Sequence, residues 1–197
     1  MSGTLMKWFG SFCERVGKEN VCLIMHTDPD DPYGQPLEHI MAHFGLNEGQ
    51  VKFSKQKLDL QKLGILYNIA DCTINISDAE GFGLSTLESL SCGTPIIVNM
   101  TGGLQEQVTD GENWFGIGIQ PSSKAMIGSQ QVPYIYEDRI SEEDFINSLV
   151  KIYEMSPEER KALGQAGREH VINNYSFEKY QSGWVEIMDN LHKECCS

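Results

Sequence analysis

The sequence predicts an α/β fold, with a mostly parallel sheet and helices on both faces. Short apolar runs rich in β-branched residues alternate with amphipathic stretches along the chain. One of these runs, "VCLIMHT", is almost wholly apolar, as expected of a strand buried on both faces. The chain has 197 residues, of which 40% are hydrophobic, and this is enough for one domain with a hydrophobic core.

The alternation assigns an element to most of the chain. Helices are predicted at "TLMKWFGSFCERVG", "LEHIMAHFGL", "DLQKLGILYNIA", "STLESLSCG" and "GGLQEQVTDG". Strands are predicted at "VCLIMHT", "QVKFS", "CTINIS", "TPIIVNM" and "NWFGIGI", and "TDPDDPYGQP" is typical of a loop. Residues 141–197 predict three amphipathic helices, each beginning at a serine with acids in its first turn.

The charge balance argues against one class of function. The net charge is −13, whereas a protein that reads a nucleic-acid backbone needs a basic face. A phosphate-bearing ligand remains compatible with this charge, because backbone amides at a helix N-terminus bind anions without net positive charge on the protein.

The cysteines predict a reducing compartment. None of the six forms a C-x-x-C pair, so we expect reduced and mostly buried thiols in a cytoplasmic protein. The six cysteines are Cys13, Cys22, Cys72, Cys92, Cys195 and Cys196.

No apolar run approaches the length of a membrane span, and the opening "MSGTLMKWFG" lacks the apolar core of a signal peptide.

The stretch "DAEGFGLSTLESLSCGTP" is the main candidate for a binding site. It follows the predicted strand "CTINIS", and ligands of open α/β sheets lie beyond the carboxyl ends of the strands. Glu80 and Glu88 lie eight residues apart, on either side of a glycine-bearing turn. Ser85 and Glu88 match the capping-box pattern S-x-x-E, which predicts a helix N-terminus with spare amides over 84–87.

Two interpretations of this stretch stay open on spacing alone. In the first, the amides of Leu84 and Ser85 hold a diphosphate, and Gly83 allows close approach to the backbone. Glu80 and Glu88 would then accept hydrogen bonds from the hydroxyls of a sugar nucleotide. In the second, Glu88 only caps its own helix and Glu80 is a solvated loop acid.

A resemblance favours the first interpretation. The segment "ISDAEGFGLSTLESLSCGTPIIVNMTGGLQEQVTDGENWFG" resembles the donor-binding segment of the family 4 retaining glycosyltransferases of GT-B fold. Glu80 and Glu88 match the E-x₇-E motif of that family, and the resemblance extends over about 21–116. It implies a single Rossmann-like domain over 1–197, with 141–197 as its C-terminal helices.

The resemblance also implies a role for each matching residue. Glu80 would contact hydroxyls of the transferred sugar and is the catalytic candidate, and Phe82 and Gly83 would contact that sugar through their backbone. The amides of Leu84 and Ser85 would hold the diphosphate, and Glu88 would bind the ribose.

A further part of the donor site is expected after the strand "QVKFS". The stretch that contains Lys55 and Lys57 matches the base-contacting loop of the family. Gly102 and Gly103 match the next glycine-rich turn near the same cleft, but we favour a plain strand-to-helix turn for them. Enzymes of this fold generally need no bound metal, so we expect no cofactor.

Two departures from the family pattern limit what the resemblance implies. The chain is about half the length of a GT-B enzyme, so the N-terminal acceptor-binding domain is expected to be absent or on a partner subunit. The first strand of the donor domain is also missing, together with the Arg and Lys that stabilise the leaving diphosphate. Arg15 and Lys18 do not match these positions, so we expect donor binding with weak or no turnover by the chain alone.

The stretch 120–139 is longer than the usual link in the family. It predicts a β-hairpin or a packed loop with Tyr134 and Tyr136 buried, although these rings could instead stack on a sugar. Tyr180 and Trp184, four residues apart on a predicted helix, could pack on the sheet of the domain or form an apolar patch for a partner.

Two classes of function therefore remain. The first is the nucleotide-sugar-binding domain of a retaining glycosyltransferase. The second is a non-catalytic protein-interaction or regulatory module that kept the fold, and the missing half and the missing Arg/Lys pair motivate it.

Overall fold

The computed structural model describes residues 1–196, with the backbone alone for Cys196, and it confirms the α/β fold. The helices are α1 (Ser2–Val16), α2 (Leu37–His43), α3 (Leu60–Asn68), α4 (Leu84–Ser91), α5 (Leu104–Val108), α6 (Glu142–Glu154), α7 (Pro157–Asn174) and α8 (Phe177–Cys196). The strands are β1 (Leu23–Met25), β2 (Val51–Phe53), β3 (Thr73–Asn75), β4 (Ile96–Asn99), β5 (Gly116–Ile119), β6 (Ser123–Ile127) and β7 (Ile135–Arg139). A short 3-10 turn, Lys18–Asn20, separates α1 from β1.

The parallel strands form two pieces. β1 pairs with β2, and β3, β4 and β5 pair in that order, all of them parallel. Within residues 1–196, no ladder of hydrogen bonds joins β1 to β3. The sheet predicted from the sequence is thus parallel but interrupted between these two strands.

The hydrophobic core has two parts. The larger part joins α1 and α6 to the strands, and it includes Met6 and Phe145, both fully buried. The smaller part surrounds β4, where Ile96 and Val98 are also fully buried between α4 and α7. β4 lies between β3 and β5 and is buried throughout, which confirms the prediction that "TPIIVNM" forms a strand.

The serines at the starts of the three C-terminal helices are N-caps, as predicted. Ser141 accepts a hydrogen bond from the amide of Asp144, and Ser156 forms a full capping box with Glu159. The Ser176 hydroxyl accepts from the amide of Lys179 at 3.2 Å. These bonds satisfy amides that have no partner within their helices.

The stretch 120–139 forms an antiparallel hairpin of β6 and β7, so the hairpin prediction is confirmed. The prediction of buried tyrosines is wrong, because Tyr134 is 74% exposed and Tyr136 is 56% exposed. The hairpin is a sheet of its own and contributes no strand to the parallel sheets. Its outer side chains therefore have no second layer to cover them.

Helix α8 carries an exposed apolar stripe. Tyr180 and Trp184 contact each other edge to face, with ring centroids 6.3 Å apart. Both rings remain at least half exposed, which contradicts packing on the domain's own sheet and confirms the predicted apolar patch. The stripe also includes Phe177, Val185, Ile187, Met188 and Leu191.

Two of the cysteines are well protected from reaction. Burial raises the pKa of the Cys13 thiol to about 11 and that of the Cys72 thiol to about 12. Both are protonated thiols at neutral pH and hence weak nucleophiles. Cys22 and Cys195 are exposed, so the expectation of buried thiols fails for these two.

Within residues 1–196, no helix combines the length and apolarity that crossing a membrane requires.

Candidate functional site at the β3–α4 turn

The candidate site lies where the chain leaves the carboxyl end of β3 and enters α4. Gly83 precedes the helix in the left-handed conformation, at φ 87° and ψ 61°. A Cβ at this buried position would lie 2.5 Å from Cδ2 of Leu104 and 2.9 Å from the Thr86 hydroxyl. Both the backbone conformation and the packing therefore require glycine.

The predicted capping box is wrong. Gly83 is the N-cap of α4, and no side chain among residues 1–196 caps this end of the helix. Ser85 is the second residue of the helix, and Glu88 accepts a hydrogen bond from the Tyr67 hydroxyl at 2.9 Å. The amides of the first turn thus have no partner within the helix and remain free for an anion.

A second glycine turn, formed by Gly102 and Gly103, contacts the backbone of the first. Gly102, at φ 48°, lies so close to the carbonyl oxygen of Glu80 that a Cβ would overlap it. The amide of Gly103 donates a hydrogen bond to the carbonyl of Gly81 at 3.3 Å. The interpretation of Gly102 and Gly103 as a plain strand-to-helix turn is therefore incomplete, because the turn shapes the backbone around Glu80.

Gln107 is a residue of this turn that the sequence interpretation did not include. Its amide nitrogen donates to the carbonyl of Phe82 at 2.6 Å, and its amide oxygen accepts from the Thr86 hydroxyl at 2.5 Å. The side chain is fully buried and ties the glycine turn to the first turn of α4. A polar residue on the buried face of the α5 segment "LQEQV" was the available signal.

The predicted donor-binding residues of this turn are solvent-accessible, apart from Gly83. Ser85 and Glu88 are exposed on α4, and Glu80 is half-buried at the entrance. The Phe82 ring is 47% exposed and contacts Tyr175 edge to face at 6.1 Å. Leu84 is exposed as well, so both carboxylates and the first residues of α4 are accessible to solvent.

Lys55 and Lys57 lie apart from this turn, after the carboxyl end of β2. Lys55 is held by Glu38 at 2.9 Å and by Asp30 at 3.4 Å. The hydrogen bond with Glu38 raises the pKa of the Lys55 amine, so the residue is a cation at neutral pH. Both lysines are exposed.

The β6–β7 hairpin is fastened to the edge of the sheet near the site. The amide of Asp138 donates to the carbonyl of Asp78 at 2.8 Å, and Asn99 donates to the carbonyl of Asp138 at 2.5 Å. The Asp138 carboxylate accepts from the Thr101 hydroxyl at 2.9 Å and pairs with Lys124 at 3.2 Å.

The pKa values of the two acids at this junction, Asp78 and Asp138, are shifted in opposite directions. The hydrogen bond from Thr101 lowers the pKa of Asp138, whereas burial, with Glu137 nearby, raises the pKa of Asp78. The Asp78 oxygen Oδ1 is buried without a hydrogen-bond partner among the described residues. The hairpin is thus held mainly through backbone groups and Asp138.

The described residues contain no group of three or more His, Cys, Asp or Glu side chains arranged to hold a metal ion. His39 and His43 share a helix, but both are exposed, and His43 contacts Phe44 edge to face.

The sequence of the chain matches a known family profile. The profile described as "Glycosyl transferases group 1" matches residues 4–170, which is most of the chain and includes the β3–α4 turn.

Curated relatives are similar over much of this chain but are longer. Trehalose synthase of Pyrococcus horikoshii is 25% identical over 79% of this chain and 36% of its own length. An alpha-1,3/1,6-mannosyltransferase of Dictyostelium discoideum is 26% identical over 89% of this chain and 37% of its own length. The chain thus spans just over a third of these relatives.

Solved structures show the same fold. Sucrose-phosphate synthase from Thermosynechococcus elongatus superposes with a TM-score of 0.69 at 22% identity, over 96% of this chain and 42% of that one. The C-terminal domain of a glycosyl transferase group 1 family protein from Francisella tularensis gives 0.62 at 20% identity, over 89% of this chain and 80% of that one. The fold is that of one half of a GT-B glycosyltransferase.

Proposed function

Because the chain belongs to the glycosyl transferases group 1 family, we propose that it is the donor-binding half of a retaining glycosyltransferase. It binds a nucleoside diphosphate sugar at the β3–α4 turn, as the C-terminal domains of family 4 enzymes do. The sugar then passes to an acceptor hydroxyl held elsewhere. The observation that carries the proposal is the uncapped N-terminus of α4, flanked by Glu80 and Glu88.

The diphosphate site rests on backbone groups. The amides of Leu84 and Ser85 belong to the first turn of α4, where the helix dipole favours an anion. The glycine at position 83 allows the left-handed backbone conformation with which the chain enters this turn, and a Cβ there would collide with Leu104 and Thr86. This explains how a chain with a net charge of −13 can bind a diphosphate.

The two carboxylates select the sugar and the ribose. Glu88 lies one turn into α4 and accepts hydrogen bonds from the ribose hydroxyls, with the Tyr67 hydroxyl holding one of its oxygens in place. Glu80 accepts from hydroxyls of the transferred sugar and is the catalytic residue, and the backbone of Phe82 and Gly83 contacts the same sugar. Each pairing follows from the chemistry of acceptor carboxylates and donor hydroxyls.

The loop after β2 contacts the base of the nucleotide. Lys55 and Lys57 contact the nucleotide there, and the ion pairs of Lys55 with Glu38 and Asp30 fix its position. No metal ion takes part. Positioning and charge stabilisation carry the transfer, assisted by the donor phosphate, since no side chain at the turn is an evident nucleophile.

Turnover requires a partner. The N-terminal acceptor-binding domain or subunit supplies the acceptor, and the chain alone is weakly active or inactive. The exposed apolar stripe of α8, with Tyr180 and Trp184, supports a surface that such a partner covers. We place the activity in the cytoplasm, where reduced cysteines such as Cys13 and Cys72 are expected.

A calorimetric titration with UDP, GDP, ADP and their sugar conjugates tests the proposal. We expect one nucleotide to bind with a Kd in the micromolar to millimolar range, about −4 to −8 kcal/mol. The matched control is the corresponding nucleoside, which lacks the diphosphate and is expected to bind at least tenfold more weakly.

The competing function is a non-catalytic interaction module that kept the fold, and the same α8 stripe favours it. Such a module is expected to bind no nucleotide sugar. Absence of binding by a chain shown to be folded would therefore contradict the donor site and support the module.

A further inference from the structure

The peptide bond between Phe82 and Gly83 is held in one orientation by a buried side chain. Gln107 is fully buried, and its Nε2 donates a hydrogen bond to the carbonyl oxygen of Phe82 at 2.6 Å. The same oxygen lies close to Gly103, where an added Cβ would be only 2.7 Å from it. Both contacts place the Phe82 carbonyl on the inner side of the turn.

The amide of Gly83 consequently points outward. Every peptide bond within residues 1–196 is trans, and in a planar trans peptide the C=O and N–H groups lie on opposite sides of the chain. Because the Phe82 carbonyl points into the domain, the Gly83 N–H points away from it. Among residues 1–196 this N–H has no hydrogen-bond acceptor. It is therefore a free donor at the turn, in addition to the first amides of α4.

The backbone alone does not select this orientation. A flip of the peptide would reverse the sign of φ at Gly83, which is 87° here, and glycine adopts both signs about equally readily. The flipped carbonyl would add an acceptor to a turn that already presents the carboxylates of Glu80 and Glu88. Such a turn would repel a phosphate and offer no donor to a sugar hydroxyl.

Thr86 determines which end of the Gln107 amide reaches Phe82. The Thr86 hydroxyl lies 2.5 Å from Oε1 of Gln107 and 2.8 Å from the carbonyl oxygen of Gly83. That carbonyl already accepts from the amide of Leu87 at 3.2 Å, so the single hydroxyl proton is available to Oε1. With Oε1 accepting from Thr86, Nε2 is the end that donates to Phe82.

We propose that Gln107 is a positioning residue for the donor sugar, because it fixes the Phe82–Gly83 peptide with the Gly83 N–H facing the ligand. The inference rests on the donor-binding function proposed above. A sugar hydroxyl then accepts a hydrogen bond from Gly83 while its own O–H donates to the Glu80 carboxylate, so both of its capacities are used. Gln107 itself does not touch the sugar.

Amide NMR spectra of the chain without ligand test the orientation. In Gln107→Met, which keeps an unbranched side chain but removes both polar groups, we expect the Gly83 amide signal to broaden, double or shift as the two orientations exchange. The matched control is Gln105→Met, the same change at an exposed position of α5, and it should leave the signal single and in place. An unmoved single signal in Gln107→Met, or equal broadening in both variants, would overturn the positioning role.

Gln107→Glu adds a pH profile. Its protonated carboxyl can donate an O–H to Phe82 and accept from Thr86, whereas its ionised form has no donor. We expect the single Gly83 signal below the pKa of the introduced carboxyl, which burial raises, and a perturbed signal above it. The wild-type signal should stay unchanged over the same range. A variant whose Gly83 signal ignores pH would contradict the proposal.

Hydrogen exchange of the unmodified chain gives a result that does not depend on how the variants fold. The side-chain NH₂ of buried Gln107 should exchange at least about tenfold more slowly than that of exposed Gln105, and the Gly83 amide should exchange rapidly. Slow exchange at Gly83, or a Gln107 side chain as fast as that of Gln105, would overturn the orientation.

Titrations with a nucleoside diphosphate and its sugar conjugate connect the orientation to donor binding. Gln107→Met is expected to weaken binding of the conjugate about three- to tenfold, the effect of one hydrogen bond, and to leave binding of the diphosphate nearly unchanged. An equal loss for both ligands would overturn the role in sugar positioning. If the wild type binds neither ligand, the donor function and the sugar contact fail together, whereas the ligand-free spectra still decide the orientation of the peptide.

Discussion

Replacing Gly102 by alanine is expected to lower the free energy of unfolding by about 2 to 5 kcal/mol. The residue has φ 48°, and its added Cβ would overlap the carbonyl oxygen of Glu80, which is backbone and cannot rotate away. Either the Glu80 turn shifts or the domain loses stability. Urea unfolding measures the change as a lower midpoint with an unchanged slope.

The matched control for this substitution is Gly45→Ala. Gly45 has a similar φ of 61°, but nothing lies within 4 Å of its Cβ position. It therefore reports the conformational cost alone, about 1 to 2 kcal/mol. Equal losses at the two positions would show that the close approach to Glu80 does not matter.

Replacing Glu88 by alanine is expected to weaken nucleotide binding about ten- to hundredfold. A hydrogen bond to a charged group contributes about 1.5 to 3 kcal/mol, and each 1.4 kcal/mol is a factor of ten in Kd. Glu88 is exposed and caps no helix, so its removal should leave the unfolding midpoint nearly unchanged. Calorimetric titration of both proteins with the nucleotide that binds measures the ratio.

Tyr67→Phe is the control for the Glu88 substitution. It removes the 2.9 Å hydrogen bond from the Tyr67 hydroxyl but keeps the carboxylate. The affinity should then fall only severalfold, because the ribose contact remains. A loss as large as that of Glu88→Ala would mean that the Tyr67–Glu88 pair, and not the carboxylate, matters for binding.

Patterns with a strong local cause could be predicted from the sequence. The caps at Ser141 and Ser156 follow from side-chain chemistry. The buried strand β4 follows from a run of apolar residues. Both causes act over a few neighbouring residues. The position of the candidate turn at the carboxyl end of β3 followed from the alternation of strands and helices.

Features that depend on tertiary packing could not be predicted. The S-x-x-E pattern indicated a cap at Ser85, but the N-cap is Gly83, two residues earlier, and the helix begins at Leu84. Gly83 has a left-handed conformation, and an added Cβ would collide with Leu104. Glu88 then bonds to Tyr67, a residue of another helix. The role of Gln107 likewise depends on a contact between helices that no local pattern records.

The solvent exposure of aromatic side chains was the other property that the sequence did not predict. Tyr134 lies on a hairpin that pairs only with itself, and Trp184 lies on a helix with no sheet beneath it. An aromatic residue in a sequence suggests burial, but whether a covering layer exists depends on elements distant in the chain. The interruption between β1 and β3 has the same origin, because it depends on which strands are present to pair.

The most direct test of the donor site follows backbone amide resonances during titration with a nucleoside diphosphate. If the diphosphate binds at the N-terminus of α4, the amide signals of Leu84 and Ser85 shift with the nucleoside diphosphate and stay in place with the nucleoside alone. The same signals remaining unmoved, while the nucleotide binds and shifts amides elsewhere, would contradict the site proposed for this chain.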